Sequence, residues 1–226
     1  MSGIGAAWRR FARVRRSERG HTLMEMVVAT ALLSLVMAAA FGAVNVMSRQ
    51  SAETTDRFTG QSEAETIADR ITKDLRSAVS PSATQAAFAS AGDSDVTFYA
   101  ALADPNGPTQ LHAYISLQPS TNVYVFHEDA TKPDPGGSPG NYSYTIASPV
   151  NRIDGRFLDT SVPAQHLFTY YDSNGNVIPT PITTLIGLRS IDSVGINLRV
   201  RVHPHSPVVV ISTLVHVRNV DYNPNT

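Results

Sequence analysis

The stretch RRSERGHTLMEMVVATALLSLVMAAAF, residues 15–41, sets a basic segment and a lone glycine ahead of an apolar run that carries a glutamate, Glu25, near its start. From Met26 to Val44 no residue is charged, and the weakly polar positions are Thr30, Ser34 and Gly42. About 19 helical residues extend roughly 28 Å, close to the hydrocarbon thickness of a bilayer, so the segment can just span a membrane. Arg9, Arg10, Arg13, Arg15, Arg16 and Arg19 precede it. The positive-inside bias then keeps residues 1–20 in the cytoplasm and places the chain beyond the helix outside. A secretory signal would show a shorter apolar core ending at a small-residue cleavage site. Here the run continues, and the sharp change in composition falls before it, at Gly20/His21. Ala29, Ala31, Ser34, Ala38, Ala39, Ala40, Gly42 and Ala43 are small enough to let another helix approach closely in lipid.

A carboxylate at the edge of such a run is costly unless it is paired or reaches the interface. If the chain is cut after Gly20, Glu25 becomes the fifth residue and a free α-amino group lies one helical turn away, from its own terminus or a neighbour's. The string GHTLMEMVVA resembles the class III signal of type IV prepilins and type II secretion pseudopilins, written Gly, then Phe-Thr-Leu-x-Glu, then an apolar helix. This resemblance implies that Gly20 precedes a prepilin-peptidase cut and that His21, standing where the family usually has phenylalanine, becomes an N-methylated terminus. Thr22, Leu23 and Glu25 match the motif and are the implied assembly residues. The implied partners are prepilin peptidase, other pilin or pseudopilin subunits, an inner-membrane assembly platform and membrane lipid, with no cofactor. Gly42 is position 22 after the cut, where many relatives carry proline, and is the place where the helix would loosen on assembly.

Apolar residues continue beyond the run. Val44, Met47, Thr55, Phe58, Ala64, Ile67, Ala68, Ile71, Leu75 and Ala78 recur mostly at three- and four-residue spacings, a helical stripe, with Glu53, Asp56, Arg57, Glu65, Asp69, Arg70, Lys73 and Asp74 assigned to the other face. Ser80-Pro81 should end the helix. A helix from about residue 22 to 79 would be roughly 87 Å long. The resemblance to pilins implies that its first half is membrane or filament core and that the second half, where the stripe from Phe58 to Ala78 lies, packs on a sheet.

After Pro81 short β-type runs alternate with Gly, Pro, Asn and Asp clusters. The expected strands are 95–100, 111–117, 122–127, 142–147, 167–172, 194–202 and 208–217, the last two forming a hairpin around the two prolines of HPHSP. SNGN at 173–176 marks a turn. Residues 128–141, EDATKPDPGGSPGN, read as an exposed loop. The fold class is therefore α+β, a long N-terminal helix packed on a mainly antiparallel sheet. The domains are a basic leader at 1–20, the helix at 21–80 and an extracytoplasmic β-rich domain at 81–226. Tyr170, Tyr171, Asp172 and Gly175, followed by the strand Leu198 to Val202, resemble the larger minor pilins of the PilW and GspJ type.

Composition restricts the chemistry. Six arginines against Glu18 give residues 1–20 a charge of +5, which leaves −6 for the remainder of a chain whose total is −1. An acidic outer domain lacks the basic surface that binds nucleic acid. The absence of cysteine excludes disulfides and thiol chemistry. His21, His112, His127, His166, His203, His205 and His216 show no zinc-ligand spacing; His203 and His205 flank a proline and read as a solvated hairpin tip. Asp129 and Asp134 fall in the 128–141 loop without the Asp-x-Asp-x-Asp-Gly array, which leaves an irregular calcium loop as an open alternative. No nucleophile elbow, P-loop or dinucleotide fingerprint is present, so the expectation is a non-enzymatic subunit. Tyr124, Tyr142, Tyr144, Tyr170 and Tyr171 read as core residues or an aromatic patch. The reading that unites these features is a minor pilin or pseudopilin in a type IV pilus-like or type II secretion-like filament, with a major pilin or a monomeric single-span adhesin as alternatives.

Overall fold

Alanine and arginine dominate residues 6–19, and both favour helix strongly. In the computed structural model the first helix, α1 (Gly5–Arg76), accordingly begins well before residue 22 and runs through the Gly20–His21 bond without a break. The structure describes residues 5–118, 123–138, 140–145, 149–159 and 166–217. It divides into two units, Met1–Ala52 and Glu53–Thr226.

In the second unit the C-terminal part of α1 lies on an antiparallel sheet. The strands are β1 (Phe88–Ala91), β2 (Asp95–Ala100), β3 (Thr109–Gln118), β4 (Val123–Thr131), β5 (Val150–Leu158), β6 (Phe168–Tyr171), β7 (Val177–Ile178), β8 (Ser193–Val200) and β9 (Val209–His216), with the short helix α2 (Leu185–Arg189) before β8. Their order is β1-β2-β3-β4-β5-β8-β6-β7, and β9 pairs with β8 along its whole length. On its other edge β8 meets β6 at residues 193–196 and β5 at Val200. The fold is thus α+β, as the sequence pattern implies.

The helix buries Gly60, Ala64, Ile67, Ala68, Ile71, Asp74 and Leu75, and Ala78 just beyond its end is buried as well. Glycine suits its first buried position: a Cβ on Gly60 would stand 3.3 Å from Val209, 3.5 Å from Val202 and 3.6 Å from Val200, so those valines would have to give slightly. The expected stripe is corrected at both ends. Phe58 is 68% exposed, so burial starts at Gly60 instead. The helix stops at Arg76, before Ser80-Pro81, because the edge of β2 captures the chain: the Val79 amide donates to the Tyr99 carbonyl at 2.8 Å and the Ala101 amide to the Ser77 carbonyl at 2.9 Å. Truncating Ile71, fully buried, to alanine should cost about 2–5 kcal/mol. Phe58→Ala should leave the thermal unfolding of residues 53–226 unchanged, and near-UV circular dichroism of the full chain in nanodiscs checks both.

Asp74 is the second correction. It is 1% exposed and belongs to the buried face, where it meets Glu128 of β4, itself fully buried. Arg152 Nη1 lies 3.2 Å from Asp74 Oδ2 and 3.0 Å from Glu128 Oε1; Arg70 Nε lies 3.2 Å and 4.0 Å from the same two atoms. These contacts are close but lack hydrogen-bond alignment, so their strength is mainly Coulombic. A β-bulge aims Arg152 inward: Asp129 pairs with Asn151 and Glu128 with Ile153, which leaves Arg152 as the extra residue. Burial first, then the neighbouring Asp74, push the Glu128 carboxyl up to about 8, and burial raises Asp74 against the opposing pull of Glu128 and Arg70. Burial and the neighbouring carboxyl thus favour the protonated form of Glu128.

Other expectations are revised by side-chain anchoring. Residues 128–131 are part of β4, and the loop begins only after Thr131. Tyr142–Thr145 form no strand. Tyr144 donates to the Pro108 carbonyl at 2.8 Å and packs on Tyr99, while Tyr142 fills the space beside Gly107 and Gly137. Residues 146–147, the end of that expected strand, lie outside the described residues. The strand in this region is β5, where Gly155 lets Ile67 of α1 approach so closely that a Cβ would collide with its Cδ1.

Candidate functional site: the N-terminal apolar helix

Between Thr22 and Ser48 the only ionisable side chain is Glu25. The residues after it form an uninterrupted helix whose large apolar side chains are all exposed, from Met26 at 72% through Leu35 at 70% to Phe41 at 68%. Its apolar window reaches a mean hydropathy of 2.3 with none of it buried.

Its few polar groups are satisfied without water. The Thr30 hydroxyl donates to the Met26 carbonyl at 2.9 Å and lies 3.0 Å from that of Val27, and the Ser34 hydroxyl donates to the Ala31 carbonyl at 2.8 Å. Such back-bonding lets hydroxyls enter a medium that offers no partners. The segment is thus suited to lipid or to a bundle of apolar helices, and one N-terminal apolar helix fits single-pass anchoring.

The structure places the expected site residues on this one helix. Gly20 and His21 lie in its backbone, their surroundings outside the described residues. Thr22, Leu23 and Glu25 are exposed, Leu23 at 69%. Gly42 sits in unbroken helix, and a Cβ there would meet nothing within 4 Å.

Chemistry elsewhere is sparse. Among the described residues no three His, Cys, Asp or Glu side chains gather as a metal site. Asp134 Oδ2 accepts from the Ser143 hydroxyl at 2.6 Å and from the amide and hydroxyl of Thr145 at 3.1 and 2.5 Å, so this carboxylate ties the loop together. Asp129 is in β4 and accepts from Tyr114 at 3.0 Å. His203 and His205 are exposed, as expected of a solvated tip, and His203 also lies 3.3 Å from Asp56 of α1, which accepts from Ser206 and so ties the β8–β9 connection to the helix. Of the tyrosines, Tyr170 is core and Tyr171 is half-buried. The buried Arg70–Asp74–Glu128–Arg152 cluster escapes a reading of the sequence, although Asp74 continues the alternating four- and three-residue spacing of Gly60, Ala64, Ile67 and Ile71.

Residues 15–41 match the family described as the prokaryotic N-terminal methylation motif. The match covers Gly20, His21, Thr22, Leu23 and Glu25 and ends one residue before Gly42. No curated protein matches the chain.

Proposed function

We propose, from the premise that the chain carries the N-terminal methylation motif of type IV pilins and pseudopilins, that it is a minor, non-enzymatic subunit of a type IV pilus-like or type II secretion-like filament. Prepilin peptidase cuts between Gly20 and His21, the new terminus is methylated, and residues 26–44 hold the chain in the membrane as one span. Residues 1–20 are cytoplasmic and residues 81–226 lie outside. An assembly platform then draws the helix from lipid into a bundle of neighbouring subunits. The supporting observation is the exposed, uncharged helical surface that starts immediately after Glu25, with hydroxyls already bonded to the helix itself. Lipid covers that surface first and other helices cover it afterwards, with no change in the demands on its polar groups.

The intact mass and N-terminal sequence of protein recovered from membranes of cells with active prepilin peptidase test this reading. The expected chain begins at His21 and carries an added methyl group. A chain still beginning at Met1 would overturn it and leave a one-span surface protein. The minor role is supported by the likeness of Tyr170, Tyr171, Asp172 and Gly175, followed by the strand Leu198 to Val202, to the larger minor pilins; a copy number in sheared filaments well below that of the main subunit is expected.

A further inference from the structure

The outer face of the sheet, turned away from α1, carries an open cleft of about 820 Å³ over β6, β8 and β9, within the ~300–1,000 Å³ range of small-ligand sites. Its floor is low because Gly195 has no side chain there. The Tyr171 ring fills part of that space, its Cε2 3.2 Å from where a Cβ would stand. One wall is the β6–β7 turn at 172–175 and the other is the edge strand β9. We propose that this cleft binds a short, neutral oligosaccharide.

The lining decides the ligand class. It contains no lysine or arginine, which disfavours anionic ligands. Its carboxylates are already engaged: Asp172 accepts from the amides of Asn174 and Asn176 at 2.9 and 2.8 Å, and Asp192 lies 3.5 Å from His216. A cation therefore finds no free acidic pair. What remains is hydroxyl and amide chemistry beside the Tyr171 ring, the exposed Leu214 side chain and the His216 imidazole. Ser193 is 5% exposed, borders the cleft, and makes no side-chain hydrogen bond among the described residues. The Thr169 hydroxyl is likewise without a partner there, and the Ser212 hydroxyl bonds Asn197 through the amide oxygen at 3.3 Å, leaving the amide nitrogen to donate elsewhere. Polar groups held near an aromatic ring and left unsatisfied by the protein suit a ligand that offers many hydroxyls and an apolar ring face.

The proposal does not rest on the filament reading, since an unprocessed chain carries the same cleft. It is tested with the full chain in nanodiscs, free of sugar-headed detergent, by saturation-transfer NMR against chitotetraose, cellotetraose and maltotetraose. Transfer to at least one is expected, with affinity weakened about tenfold or more by Asn197→Leu, an exposed position that tolerates the change, and by Ser193→Val. His112→Ala on β3, away from the cleft, should leave binding unchanged. Absence of transfer to all three overturns the proposal. Transfer that survives both cleft variants, with their melting temperatures intact, overturns it as well because binding then lies elsewhere.

Discussion

Arg152→Ala is expected to destabilise residues 53–226 by roughly 1–3 kcal/mol at neutral pH, the range for leaving buried polar groups short of a partner, since Arg70 still faces Asp74. The Arg152 side chain is 18% exposed and touches both buried carboxyls at 3.0 and 3.2 Å. Without it Asp74 and Glu128 share only Arg70, whose side chain is 36% exposed and stands 4.0 Å from Glu128. The sign of the pH dependence comes from the raised pKa. Between the ordinary carboxyl value of 4.5 and about 8, folded Glu128 keeps a proton that the unfolded chain has released. Stability therefore falls as pH rises through that window and levels off above it. The raised Asp74 pulls in the same direction, while carboxylates elsewhere with lowered pKa values, such as Asp172, pull the other way near their own titration. The clean readout is a difference: Glu128→Gln, neutral at every pH, should flatten the loss between pH 5 and 8, and Arg152→Ala should steepen it. Denaturant midpoints at pH 5, 6.5 and 8 decide the matter. Parallel pH profiles for wild type and Glu128→Gln would show that Glu128 is already ionised in the folded state.

That cluster also marks where reading from sequence stops. Strand β2 coincides with its expected span, and β6, β8 and β9 lie within one or two residues of theirs, because alternation in stretches such as Val194 to Val200 reflects a sheet with one buried face. Strand β5 is not legible because its residues answer to distant partners: Gly155 makes room for Ile67, and Arg152 is bulged toward Asp74 and Glu128. Neither requirement leaves a local period. The opposite error, at Tyr142 to Thr145, has the same origin, since aromatic residues with strand propensity are spent anchoring loops through Tyr144 and Pro108. The N-terminal helix is the most legible part. A membrane segment obeys composition more than tertiary contact, so length, charge and hydropathy suffice to mark it. Helix also extends upstream of residue 22, because a processing event such as the cut implied by Gly20 leaves no mark on helix propensity.

Replacing Glu25 by alanine is expected to leave the chain inserted and cut after Gly20, yet to reduce its recovery in filaments by roughly a hundredfold or more, the factor that corresponds to losing one partner of a buried ion pair. The contrast between two surroundings is the reason. In the bilayer Glu25 lies at the edge of the apolar run, with Arg19 and the rest of the basic leader before it, and its carboxylate can reach the interface. Within a bundle of such helices the exposed surface from Met26 to Phe41 is covered and water is excluded. A carboxylate there must find a positive partner, and the segment supplies none: the next basic residue is Arg49. On the proposed reading the cut creates that partner as the α-amino group of His21, one on every subunit. Pairing Glu25 with a neighbour's amine sets the axial register of one helix on the next, since a displaced helix would bury both charges unpaired. Glu25→Gln separates charge from shape: it retains the size and much of the hydrogen bonding, and on this account it should fail almost as completely as alanine. Immunoblots of sheared filaments against membranes measure the ratio for each variant. Glutamine supporting assembly while alanine does not would make the contact a neutral hydrogen bond, and undiminished incorporation of both would remove Glu25 from assembly altogether.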